Sequence, residues 1–159
     1  MNIKDLVEEL KDCQSYKNFI KENQNSYFSA GFIILNLAES TETIQLDFFI
    51  PSKKNVASFE FPFGEPKIHE DKIESMTPQT TELKVDIDDL ATMCKEIIFE
   101  NNCSLKPTKI IAIIRDNQWN LTCLDDMLGI IRIKIDALTA KLISFEKGSL
   151  MDFMGIKKG

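Results

Sequence analysis

Apolar residues recur along this chain in two periods, and the alternation between them divides it into elements. Near the N-terminus Ile3, Leu6, Val7, Leu10, Cys13, Phe19 and Ile20 fall at helical spacing, which predicts one amphipathic helix over residues 3–22. Asn23, Gln24, Asn25 and Ser26 end it with turn formers. Residues 27–37, rich in aromatic and branched side chains, read as a strand. Beyond a polar turn, residues 43–50 alternate, with Ile44, Leu46, Phe48 and Ile50 on one face. A turn at Pro51 to Asn55 leads to a third strand, 56–63, with Ala57, Phe59, Phe61 and Phe63 to one side. Residues 64–84 lose the pattern. Gly64, Pro66 and Pro78 punctuate a charged stretch that reads as a loop or connection, with a short extended piece somewhere in 67–75.

The helical period returns at Asp86, which reads as an N-cap with Asp88 and Asp89 in the first turn, where the helix dipole favours acids. Ile87, Leu90, Cys94, Ile97 and Ile98 form the stripe of this helix, and Asn101 and Asn102 end it. Four strands follow at 109–115, 118–124, 128–136 and 140–146. The first two are joined by Asp116-Asn117, a two-residue hairpin turn. The order predicts an α+β fold in which a helix followed by an antiparallel β-meander occurs twice, α-βββ-α-ββββ, each helix covering an apolar sheet face. The chain then reads as a single domain with two topologically similar halves, 1–63 and 85–148, joined by the irregular 64–84. Last, Ser149 with Asp152 three residues on resembles a capping box and predicts a short C-terminal helical turn. Its apolar residues Leu150, Met151, Phe153 and Met154 need cover, either from the chain's own sheet or from a docking partner.

Composition narrows the function. A net charge of −6 sits mainly in residues 60–100, and the chain holds only two arginines, Arg115 and Arg132. Nucleic-acid binding draws its affinity from clustered Lys and Arg, so a nucleic-acid partner is not expected. The N-terminus is charged from Lys4 and lacks an apolar signal-peptide core, and no apolar run approaches a membrane span, so a cytoplasmic protein is expected. The four cysteines, Cys13, Cys94, Cys103 and Cys123, show no C-x-x-C spacing and lie far in sequence from the single histidine, His69. They read as small apolar core residues rather than zinc ligands, with Cys103 a candidate for exposure.

Residues with catalytic potential are few. No phosphate-binding glycine loop, nucleophile elbow or zinc-binding histidine pair occurs. His69 reads as a solvated loop histidine. Asp125-Asp126, Asp116 and Asp136 read as turn residues capping their own backbone. No catalytic, cofactor-binding or metal-binding residues are assigned. Candidate binding-surface residues are Trp119, Leu150, Phe153 and Met154. Trp119 alternates with Leu121, and an inward, core position is its other reading. Tyr16 and Tyr27 frame the first helix-to-strand turn, as packing or as surface aromatics.

Trp119 and Leu121, then Gly129, then Ile133-Lys134-Ile135-Asp136-Ala137-Leu138-Thr139-Ala140-Lys141-Leu142-Ile143 carry a resemblance. The C-terminal half resembles the PepSY family, whose small domains are related in shape to the cystatins. Ala140 stands where the family's turn glycine is usual. The resemblance implies a helix packed on an antiparallel sheet, and a binding or inhibitory module without catalytic residues of its own.

The expected function is therefore a non-enzymatic protein- or peptide-binding module, inhibitory or regulatory, using a sheet face or edge, with a homodimer as one partner arrangement. The alternative is a carrier of a small apolar molecule or lipid in a cavity between helices and sheet, lined from the 11 phenylalanines. A third reading is an enzyme working through carboxylates of the acidic 60–100 region.

Overall fold

The computed structural model describes residues 1–149. Helices α1 (Ile3–Asp12) and α2 (Gln14–Glu22) precede strands β1 (Tyr27–Asn36), β2 (Thr41–Ile50), β3 (Asn55–Glu60) and β4 (Lys67–Ile68). Helix α3 (Ile87–Glu100) follows, then β5 (Lys109–Arg115), β6 (Gln118–Leu124), β7 (Gly129–Asp136) and β8 (Leu142–Ser149). The fold is α+β, and all strands form one antiparallel sheet of order β4-β3-β2-β1-β5-β6-β7-β8. The two meanders meet where β1 pairs with β5, Phe32 opposite Ile113 and Ile34 opposite Ile111.

Three elements depart from the sequence expectation. The single helix 3–22 is two helices, because Cys13 is extended (φ −75, ψ 143) and caps both. A continuous helix through Leu10 would turn Tyr16 away from the core stripe. The break rephases the second segment so that Tyr16 and Phe19 are buried, their rings 5.3–6.0 Å from those of Phe48 and Phe59. The third strand ends at Glu60 rather than at residue 63, since Pro62 has no N–H for the ladder. Phe61 is consequently exposed rather than aligned inward with Ala57 and Phe59. The last strand runs 142–149 instead of 140–146, and Ser149, read as a helix cap, is its final residue. The helical turn expected beyond it lies outside the described residues.

One side of the sheet is the core. Ile33, Leu35, Ile110, Ala112, Ile114, Trp119, Leu121 and Cys123 are buried there, in one cluster with the inward residues of all three helices. Gly31 lies beside Ile114 of β5 and Ile3 of α1. A Cβ on it would lie 2.8 Å from Ile114 Cγ2 and 3.5 Å from Ile3 Cδ1. The N-termini of α1 and α3 share one carboxylate, for Asp86 accepts from the backbone N–H of Ile3 at 2.8 Å and of its own Ile87 at 2.9 Å. Asp86 N–H in turn donates to Asp89, closing the capping box. No helix among the described residues is long and apolar enough to cross a membrane.

Candidate functional site

Side chains that alternate with the core residues point to the other sheet face, away from the helices. Its cross-strand register can be followed through six strands. One row runs Glu60–Gln45–Phe32–Ile113–Asn120–Lys134 from β3 to β7. The next runs Thr43–Ile34–Ile111–Thr122–Arg132 from β2 to β7, with Glu146 of β8 opposite Arg132. Phe32, Ile34, Ile111 and Ile113 thus form a half-buried apolar block on the two central strands, and none of them belongs to the helix-side core cluster. Polar residues frame the block on both sides.

One end of this face is crossed by the chain after β4. Tyr27 donates its hydroxyl to the Met76 carbonyl at 2.5 Å, and the Gln79 N–H donates to the Phe28 carbonyl at 2.9 Å. Here the structure gathers residues the sequence left apart. Ser58 Oγ lies 2.7 Å from Asp47 Oδ1 and 2.8 Å from His69 Nε2, and Gln45 Nε2 donates to Asp47 Oδ1 at 3.0 Å. His69 is therefore half-buried and bonded, not a solvated loop residue; its backbone N–H also donates to the Val56 carbonyl. The order of the three groups decides their chemistry. A serine hydroxyl has one proton, and Ser58 Oγ donates it to Asp47 Oδ1, so the ring nitrogen of His69 meets Ser58 Oγ as an N–H donor. In a serine–histidine–aspartate triad the imidazole stands between serine and carboxylate and accepts the hydroxyl proton. Here serine is the middle member and is 4% exposed. The cluster clasps β4 and the chain after it onto β3.

A second feature is an open cleft of about 570 Å³ between the C-terminal end of α3 and the chain that follows it, lined by Ile98, Phe99, Cys103, Leu105 and Pro107 together with Lys95 and Lys106. Phe99 is 81% exposed. A third is the sheet edge. Among the described residues β8 is hydrogen-bonded only to β7, and Leu142 and Ile143 at its start are 44% and 46% exposed. The opposite edge, β4, is two residues long.

Of the residues nominated from sequence, Trp119 is corrected as a surface candidate. It is 0% exposed, and its indole N–H donates to the Val85 carbonyl at 2.8 Å, so its polar edge is spent inside the core. Leu150, Phe153 and Met154 lie outside the described residues. Tyr16 is core, and burial raises its phenol pKa above the usual value. Asp125 accepts from the backbone of Met127 and Gly129, and Asp136 from that of Leu138 and Thr139. Those backbone bonds hold the Asp136 carboxyl below the usual range. Asp88 pairs with the N-terminal ammonium group at 2.6 Å.

The cysteines differ from their expectation in one respect. Cys94 of α3 and Cys123 of β6, 29 residues apart, meet in a disulfide contact inside the core, with Cα atoms 7.7 Å apart. That Cα separation is wider than the usual disulfide span of up to about 6.8 Å. Cys13 and Cys103 are free and half-buried. Among the described residues no group of three His, Cys, Asp or Glu side chains is placed to hold a metal ion. No signal in the sequence joined Asp47, Ser58 and His69, because strand register brings Ser58 to Asp47 and the path of the chain after β4 brings His69 to Ser58. No family model, curated protein or solved structure matches this chain.

Proposed function

We propose that the protein is a non-enzymatic protein- or peptide-binding module that takes an extended segment along β8. The observation that carries this reading is the edge itself. It offers eight consecutive residues with one ladder side unpaired among the described residues, and side chains of Leu142 and Ile143 for an incoming strand to cover. Strand addition draws affinity from main-chain hydrogen bonds and specificity from alternate side chains. Natural edges of this length are usually blunted by charge or proline. Glu146 and Lys147 do so in the second half of β8, and the first half carries neither, its one irregularity being the bulge at Ile143. The PepSY-like character of the C-terminal half belongs to the same proposal, as does the reading of the two halves as one helix-then-meander plan used twice, with an inhibitory or regulatory role in the cytoplasm. The Asp47–Ser58–His69 order described above supports the non-enzymatic part of the reading.

Panning a random peptide library on the protein, followed by NMR shift mapping, tests the proposal. Selected peptides are expected to be extended, to shift β8 and β7 resonances, and to lose binding in Ile143→Lys. Binders that map elsewhere and bind Ile143→Lys equally well would refute the edge as the site. The α3 cleft favours a second reading, capture of a small apolar molecule on the surface rather than between helices and sheet. A co-purified ligand in native mass spectra, released by Phe99→Asp, would support that reading.

A further inference from the structure

From the register of the open sheet face we infer that this face is the contact surface of a homodimer, separate from the β8 edge. The argument is the order of side chains across the sheet. Along the row from β3 to β7 the sequence of groups is acid, amide, apolar, apolar, amide, base: Glu60, Gln45, Phe32, Ile113, Asn120, Lys134. A two-fold axis parallel to the strands, between β1 and β5, turns this row onto itself. Glu60 of one copy then faces Lys134 of the other, Gln45 faces Asn120, and Phe32 faces Ile113. In the neighbouring row the same axis sets Ile34 against Ile111 and Thr43 against Thr122. A row whose charge order is its own complement, next to a second row whose apolar and threonine positions also match, fits a second copy of itself better than an unrelated partner, since an isologous contact sets each group against its symmetry mate. Glu60 is exposed and Lys134 half-buried, so both side chains reach the surface.

The area is sufficient. Leaving out the end crossed by the chain after β4, the five strands from β2 to β7 lie about 4.8 Å apart and are free over roughly six residues, so with Glu60 at the rim they present about 500 Å² per copy, hence about 1,000 Å² in all, the size at which specific interfaces begin. Face-to-face sheets pack about 10 Å apart with strands within about 30° of alignment, which keeps the central apolar block in contact and leaves the flanking pairs at the rim. This arrangement leaves both β8 edges open, so it is compatible with peptide binding there and does not depend on it.

Sedimentation equilibrium of the full chain tests the inference, with charge reversal as the probe. The wild-type protein is expected to be dimeric at micromolar concentration. Glu60→Lys and Lys134→Glu each place like charges face to face twice per dimer and are expected to weaken association roughly tenfold or more. The double variant Glu60→Lys/Lys134→Glu restores the pair in reverse and is expected to recover the wild-type constant. Circular dichroism of each variant confirms that the fold is kept, since both sites reach the surface. A wild-type chain still monomeric at about 0.5 mM would overturn the inference. So would a dimer indifferent to both reversals, or one dissociated by Ile143→Lys instead, which would assign the contact to the β8 edge.

Discussion

Replacing Trp119 with Phe separates a core tryptophan from a surface one. The ring is wholly enclosed, and its N–H satisfies the Val85 carbonyl immediately before the cap of α3. Phe fills most of the same space but leaves roughly 40 Å³ empty, about 1 kcal/mol at ~24 cal/mol per Å³, on top of about 1 kcal/mol of lost transfer energy. The orphaned buried carbonyl adds about 1–2 kcal/mol. The sum, about 3–4 kcal/mol, is a large share of the roughly 5–15 kcal/mol that holds a domain of this kind together. For a chain of this length each kcal/mol moves the melting temperature by about 2–4 °C, so Trp119→Phe is expected to melt about 6–16 °C below wild type in far-UV circular dichroism. The wild-type chain supplies a control, because its one tryptophan should emit at short wavelength and resist iodide quenching in the folded state. A variant melting within about 2 °C of wild type would refute the packing and hydrogen-bond account.

Three further outcomes are expected. Asp86 has its pKa raised, chiefly by burial and against the backbone bonds from Ile3 and Ile87. Its ionised form is therefore penalised on folding, so its contribution to stability is greatest below the ordinary carboxylate pKa and declines as pH rises through the folded value. Asp86→Asn keeps an acceptor for both helices, and its stability relative to wild type, from urea titrations, should rise between about pH 3 and 6; a falling difference would show that the carboxylate's charge is the favourable part. Ala140 has φ 68, so Ala140→Gly should raise stability by about 0.5–1 kcal/mol in the same assay, relief of left-handed strain exceeding the entropy cost of glycine, and a loss would contradict that balance. Gly31→Ala forces a Cβ to 2.8 Å from Ile114 of the paired strand β5 and should cost about 1–3 kcal/mol, whereas a neutral result would mean that the Ile114 side chain can give way without penalty.

Periodicity made most elements legible. Strands β5 and β6 begin and end where their alternation does, and α3 carries the stripe and cap that its sequence displays, because burial of one face and satisfaction of terminal N–H groups are local demands. The alternation of apolar residues does not mark the turn conformation of Ala140, whose positive φ is a backbone state that glycine adopts without strain. The break at Cys13 left no mark, since neither proline nor glycine stands there and only the need to aim Tyr16 and Phe19 at Phe48 and Phe59 produces it.

What the sequence determined by itself was the list of amphipathic segments and the scarcity of residues arranged for chemistry. Which segments touch was decided by tertiary structure. The pairing of β1 with β5 joins two meanders into one sheet, and with it creates the continuous row from Glu60 to Lys134. The same register brings Ser58 beside Asp47, and the fold of the following segment adds His69. Helix α3 lies over β6, so Cys94 meets Cys123. These are long-range contacts between segments whose local propensities are indifferent to one another, and a chain's local pattern specifies the faces to be buried without specifying their partners.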